Sequence, residues 1–326
     1  MRIVFMGTPE FAIPSLKLLV EQGRDVVAVV TQPDRPKGRK KTLTPPPVKE
    51  AALSFGLPVL QPERMRSEEA VAELAAYRPE LIVTAAYGQI LPKAVLELPR
   101  LGCINVHGSL LPKYRGGAPI QRSIINGEAS TGVTIMYMAA GLDTGDMIAS
   151  VELPILEEDT SGTMFEKLSA AGAKLLGETL PSIMDGTAAR VPQNEEEATY
   201  APNLSREDER MDWSKSARAI FNQVRGLSPM AGAFTTLQGE VFKVRACSVL
   251  SGEQELKAAE KAADQLQAGC GTVVATGAAG IVVRTGDGFL LLREIQPAGK
   301  RAMDAGEWLK GARLESGTSL GQGDAR

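Results

Sequence analysis

The order of apolar and polar positions divides the chain into two parts with different rhythms. Residues 2–6 form a short β-rich run ending at Gly7, and Pro9 opens a helical pattern with Phe11, Ser15, Leu18 and Leu19 near one face, stopping at Gly23. Residues 25–31 are again apolar with little interruption. Runs of this kind suit strands buried on both faces, and a strand–helix–strand order within about 30 residues predicts a βαβ unit with parallel strands. The alternation continues. Helical patterns fall at 48–55, at 68–76 behind a capping Ser67, at 118–125 and at 160–184, and strand-like runs at 58–60, 80–86, 102–106, 132–138 and 147–155. Residues 1–189 are therefore expected to form a Rossmann-like, doubly wound α/β domain with a mostly parallel sheet.

The rhythm then changes. Residues 186–205 are acidic at Glu195–Glu197, poor in apolar side chains and marked by Pro192 and Pro202, so 190–206 reads as a linker. Within residues 214–225, Ala217, Ile220, Phe221 and Val224 recur at i, i+3, i+4 and i+7, one apolar helical face. Short strand-like runs follow at 232–237, 241–250, 271–276, 280–285 and 289–295. Five such runs with tight turns predict a small antiparallel β-barrel, OB-like, or an open sheet, within a second domain, 207–326. The Ala- and charge-rich stretch 253–267 reads as a helical or mobile insertion.

Composition adds exclusions. Of 326 residues, 44% are hydrophobic and 23% charged, enough for ordinary cores. No apolar run approaches the ~20 residues of a membrane span, and the N-terminus lacks the long apolar region of a signal peptide. Cys103, Cys247 and Cys270 are odd in number and form no CxxC pattern, and there is a single histidine. No disulfide framework and no metal site are expected, and a reducing cytoplasm fits. The net charge of −3 is no nucleic-acid binder's signature. Locally, DRPKGRKK sets Arg35, Lys37, Arg39, Lys40 and Lys41 against Asp34 alone. Taken by itself, such a run reads first as a solvated loop.

The candidate chemistry lies in CINVHGSLLPKYRGGAPIQR, residues 103–122. Strand alternation puts Asn105 and His107 on one face, at the carboxyl end where open α/β sheets bind ligands. An imidazole moves protons near neutral pH, and an asparagine amide can donate to an oxygen that becomes negative. A carboxylate to orient the ring is missing from this stretch. Asp143 and Asp146 of GLDTGD are both candidates, and the same motif serves equally as a plain turn. DTG also occurs in aspartic proteases, but those need a second such motif or a β-rich homodimer. Gly7-Thr8-Pro9 lacks the later glycines of a dinucleotide-binding loop, and neither a Walker A sequence nor a GxSxG elbow is present.

Together, INVHGSLLPKYRGGAPI, GLDTGD, FMGTPEFA, TQPDRPKGRKK, AAYGQILPKAVLELPRLGC, TGVTI, EDTSGT and QPAGKRAM resemble the folate-dependent formyltransferase family, over nearly the whole chain. The resemblance implies transfer of the formyl group of 10-formyltetrahydrofolate to the amino group of methionyl initiator tRNA. The folate acts as co-substrate, no cofactor is tightly bound, and the enzyme is a cytoplasmic monomer. It implies Asn105, His107 and Asp143 as the catalytic set and Ser109, Leu110, Leu111 and Pro112 as a folate-contacting segment. The pterin would lie near Tyr87, Gly88, Gln89, Ile90 and Leu91. The insertion at 33–49 would enter the tRNA acceptor stem, making Arg35, Lys37, Arg39, Lys40 and Lys41 tRNA contacts, and Lys243, Arg245, Arg293, Lys300 and Arg301 would line a second contact surface. Two alternatives stand beside this reading: a sibling enzyme that formylates a small amine, and an RNA- or nucleotide-binding module without catalysis.

Overall fold

In the computed structural model, residues 1–38 and 41–322 are described; Arg39 and Lys40 of the basic run lie outside them. The first apolar runs become β1 (Arg2–Gly7), α1 (Ile13–Glu21) and β2 (Asp25–Val30), with β1 and β2 parallel as expected. The chain then makes a hairpin of β3 (Arg35–Lys37) and β4 (Thr42–Thr44). This hairpin was not apparent from a stretch broken by Gly and Pro and lacking alternation. It is followed by α2 (Pro47–Ser54), β5 (Val59–Leu60), α3 (Glu68–Ala76), β6 (Leu81–Ala85), α4 (Lys93–Leu96) and β7 (Cys103–His107). Next come α5 (Pro119–Ile125), β8 (Ser130–Tyr137), β9 (Met147–Pro154) and α6 (Ser161–Met184). Ser67 caps α3 as its sequence suggests, its hydroxyl accepting from Ala70 N at 3.2 Å, with Glu68 and Glu69 favouring the positive end of the helix.

The main sheet has the order β5-β2-β1-β6-β7-β8-β9. It is parallel from β5 to β7, and β8 and β9 run antiparallel at one side. Strand order reverses between β1 and β6, which opens a crevice at their carboxyl ends. Alternation sorts β7 between the two faces. Cys103 packs in the cluster of Val4, Val30, Ile82, Leu74 and Val95. Val106 faces the other way, where a Cβ on Gly172 of α6 would come within 2.9 Å of it. Asn105 and His107 therefore share the Cys103 face.

The chain forms two compact units, 1–119 with 130–154 and 164–202, and 120–129 with 155–163 and 203–326. This division differs from a cut at 189 followed by a linker. Residues 191–202 pair by backbone hydrogen bonds with other parts of the first unit: Val191 with Met147 at the start of β9, and Thr199 and Ala201 with Arg115 in the loop after β7. The second unit contains α7 (Ala217–Gly226), β10 (Ala233–Leu237), β11 (Glu240–Val249), α8 (Glu253–Leu266), β12 (Val273–Gly277), β13 (Gly280–Arg284), β14 (Phe289–Pro297), β15 (Met303–Asp304) and α9 (Ala305–Leu309). Its antiparallel ladder runs β10-β11-β14-β13-β12, with β15 on β14. The apolar face of α7 closes the core through Ala217, Ile220, Phe221 and Val224. The 253–267 insertion is a formed helix, seated through Ala259 and Ala263 against Val274 and Phe289. In this unit the Arg122 guanidinium meets Asp208 at 3.0 Å and holds its carboxyl well down, at about 2.

Candidate active site

His107 closes β7 and is 6% exposed. Its Nε2 lies 3.1 Å from the Tyr114 carbonyl. A carbonyl only accepts, so the Nε2 proton is used there, and the lone pair of the neutral ring sits on Nδ1. Nδ1 faces Asp143 Oδ2 at 3.7 Å, an ion-pair distance rather than a hydrogen bond. The same Oδ2 accepts the Gly116 amide N–H at 2.8 Å. Gly116 holds φ 122, and a Cβ there would stand 2.7 Å from the Ala201 carbonyl, so the amide reaches the carboxylate only because the residue is glycine. Of the two candidate carboxylates, Asp143 therefore meets the imidazole. Asp146 instead lies 3.9 Å from the Arg190 guanidinium.

Asn105 stands two residues before His107 on the same face and opposite Thr84 of β6. The Thr84 hydroxyl donates to Asn105 Oδ1 at 2.8 Å and also lies 2.9 Å from the Ile104 carbonyl. With Oδ1 occupied in this way, the carboxamide N–H bonds are left to point elsewhere. Thr84 was missed in the sequence, although it is the one polar residue in the apolar run LIVTA. The structure thus gathers a basic ring nitrogen, a carboxylate and an amide donor at one sheet edge.

The other expected contacts separate by exposure. Ser109 is fully buried, donating to the Lys113 carbonyl at 2.7 Å, and Leu111 is buried; Leu110 and Pro112 are half-buried. Tyr87 turns its ring into the core, where its hydroxyl finds no hydrogen-bond partner among the described residues and burial pushes it up to about 12. Its carbonyl accepts from Thr8 Oγ1 and Gln32 Nε2. Gln89 is held by Met65 N and the Pro62 carbonyl, and Leu91 is buried. Gly88 and Ile90 are exposed, Ile90 at 89%. In this segment, backbone and Ile90 remain to meet a ligand, rather than the tyrosine hydroxyl.

Arg35, Lys37 and Lys41 are exposed on the β3–β4 hairpin, and Arg35 pairs with Glu63 at 3.1 Å. At the base of the hairpin, Asp34 is held below the usual carboxylate range by Gln61 and Lys49. In the second unit, Lys243 and Arg245 bond to Ala231, Pro229 and Gln296, and Arg293 to Ser248, while Lys300 and Arg301 are exposed. A cavity of about 1110 Å³ in that unit is lined by Arg206, Arg210, Trp213 and Phe234, and none of the expected site residues lies in it. All three thiols are free. Among the described residues, no helix is long and apolar enough to cross a membrane.

Comparison with known proteins places the chain among the formyl transferases. Residues 1–180 match the family described as "Formyl transferase", and residues 203–313 match its "Formyl transferase, C-terminal domain". The methionyl-tRNA formyltransferase of Bacillus subtilis (strain 168) is 54% identical over 321 residues, covering 98% of each chain. That of Bacillus licheniformis is 54% identical over 326 residues, covering 100% of this chain and 99% of the other. The chain belongs to the methionyl-tRNA formyltransferase family. Among solved structures, the fold is shared with WlaRD, described as a sugar 3N-formyl transferase in the presence of dTDP and 5-N-formyl-THF. There the TM-score is 0.64 and the identity 17%, over 92% of this chain and 99% of that one. HypX from Aquifex aeolicus in complex with tetrahydrofolic acid also shares it, with TM-score 0.63 and 18% identity over 97% of this chain, which spans 48% of HypX.

Proposed function

We propose that this chain transfers the formyl group of 10-formyltetrahydrofolate to the amino group of methionyl initiator tRNA, as a cytoplasmic monomer. The observation that carries the chemistry is His107, fixed through Nε2 with Nδ1 turned to Asp143, on the strand face it shares with Asn105. The choice of acceptor is supported by the near full-length identity to methionyl-tRNA formyltransferases.

The free amine attacks the formyl carbon with its lone pair. As the carbon–nitrogen bond forms, the carbonyl π pair moves onto oxygen, and the Asn105 amide donates to that oxygen. His107 Nδ1 accepts the proton the nitrogen sheds, and Asp143 faces the transient imidazolium. The imidazolium then gives the proton to N10 of tetrahydrofolate as the carbon–N10 bond breaks, so the ring ends as it began. Leu110, Pro112, Gly88 and Ile90 would flank the folate through exposed surface and backbone, beside Ser109, Leu111, Tyr87, Gln89 and Leu91.

The test offers 10-formyltetrahydrofolate with either charged initiator tRNA or small amines, a nucleotide-linked amino sugar among them. Formylation of the tRNA is expected; formylation of a small amine alone would reject this acceptor in favour of the sibling reading.

In the same reading, Arg35, Lys37, Arg39, Lys40 and Lys41 meet tRNA phosphates. Lys37 and Lys41 are the cleaner probes, because Arg35 already faces Glu63. Lys37→Ala with Lys41→Ala should raise KM for the tRNA and flatten its dependence on salt by about one unit of log–log slope per lost contact, leaving KM for the folate in place. An unaltered slope would return the run to a solvated hairpin.

A further inference from the structure

The acidic segment after α6 reaches the Asp143 turn through Gln193. Gln193 Nε2 donates to the Asp143 carbonyl at 2.7 Å and to the Gly145 carbonyl at 2.8 Å. These carbonyls flank the turn that carries the Asp143 carboxylate, and Asp143 itself sits at φ 51, a left-handed conformation that a non-glycine residue leaves unless held. Gln193 is in turn oriented from behind. Its Oε1 accepts from Arg115 Nε at 3.0 Å, and the rest of that guanidinium forms a two-pronged pair with Glu195 at 2.8 and 2.9 Å. Arg115 is fully buried, and its backbone pairs with Thr199 and Ala201 of the same segment. The residue after it, Gly116, supplies the N–H that Asp143 Oδ2 accepts. One arginine thus connects both holds on Asp143: the amide on its carboxylate and the glutamine on its backbone.

We propose that Gln193 is a positioning residue, set by Arg115, whose carboxamide fixes the 143–145 turn so that the Asp143 carboxylate meets His107 Nδ1; the inference rests on the catalytic reading of Asp143 and His107 given above. The geometry selects glutamine over glutamate. A carboxylate at 193 would still accept from Arg115, but it has no proton for the two carbonyls and would turn a negative oxygen toward them. The segment is thereby part of the machinery of the first unit rather than a spacer.

The near-isosteric Gln193→Glu tests this in the full chain, with Asp143→Asn as reference. Misplacing a reacting group by about an ångström costs on the order of 10²-fold in rate, so kcat should fall about 10- to 100-fold, while KM for 10-formyltetrahydrofolate and for methionyl-tRNA stays within about threefold. The chain has one histidine, so its ring ¹H–¹⁵N resonances report His107 alone. They should move in Gln193→Glu in the direction seen in Asp143→Asn. Gln193→Met, which keeps the length but removes both donor and acceptor, reads the same quantities should the glutamate variant fail to fold. Wild-type kcat with unmoved ring resonances in a folded variant overturns the proposal. If Asp143→Asn remains fully active while the ring resonances move in both variants, the catalytic reading falls and the positioning stands. If Asp143→Asn is impaired and Gln193→Glu changes neither quantity, the positioning falls alone.

Discussion

His107→Ala is expected to slow formyl transfer by about 10²–10⁴-fold, the usual contribution of a positioned proton carrier. The loss should lie in kcat. The ring is buried and its Nε2 proton is committed to the Tyr114 carbonyl, so Nδ1 alone is left to exchange a proton with the substrate. No second histidine exists to take over, and the neighbouring Asp143 can face a charge but does not reproduce the position of Nδ1. Single-turnover formylation with saturating 10-formyltetrahydrofolate and charged initiator tRNA measures the effect directly. The melting temperature of the variant is measured in parallel, because deleting a buried ring leaves a void that carries its own cost. A rate within about threefold of the wild type, far short of a proton carrier's contribution, would remove the imidazole from the mechanism.

Asn105→Ala should cost about 3–4 kcal/mol of transition-state stabilisation, some 10²–10³-fold in kcat, by analogy with the loss of a single oxyanion donor. The amide is turned for this role by Thr84, whose hydroxyl occupies Oδ1. Asn105→Asp is the sharper substitution. It keeps the shape, removes the N–H bonds and sets a negative charge against an oxygen that is itself becoming negative, so its rate should be at or below that of the alanine variant. An aspartate variant more active than the alanine variant would show that the side chain serves packing or a proton relay, not oxyanion stabilisation. In both variants KM for the folate should change little, since the interaction strengthens only as the tetrahedral centre forms.

The parallel core was legible because strands covered on both faces write themselves as mostly apolar runs, as β1, β2 and β6 do, whereas β7 breaks its run at the two polar site residues, Asn105 and His107. Asn105 and His107 were legible as a pair because strand periodicity is two. Local pattern did not choose between Asp143 and Asp146, since both lie in one irregular loop whose path is set by distant partners; Asp143 came from the family resemblance alone. Arg115 and Gln193 were invisible for a related reason. Nothing in RVPQNEEEATYAP alternates, and its order comes from bonding to loops about 45 to 85 residues earlier in the chain; a polar segment ordered only by long-range bonds carries no local periodicity to read. The 253–267 stretch became a helix once Ala259 and Ala263 had a sheet surface to cover, a tertiary fact that propensity alone leaves open.

The chain crosses between its two units five times, at 119/120, 129/130, 154/155, 163/164 and 202/203. No single proteolytic cut can then release either unit whole, and a fragment ended at residue 189 would lose the tether on Asp143 together with the C-terminal sheet. During synthesis, α5 and residues 155–163 leave the ribosome before α7, against which Ile125, Leu156 and Glu157 are placed through Gly226, Arg225 and Arg218, so two pieces of the second unit must wait for the last third of the chain. Exchange of C-terminal halves between relatives meets the same geometry: the donor would have to bring its own counterparts of 120–129 and 155–163, embedded in a sequence that otherwise builds the other unit.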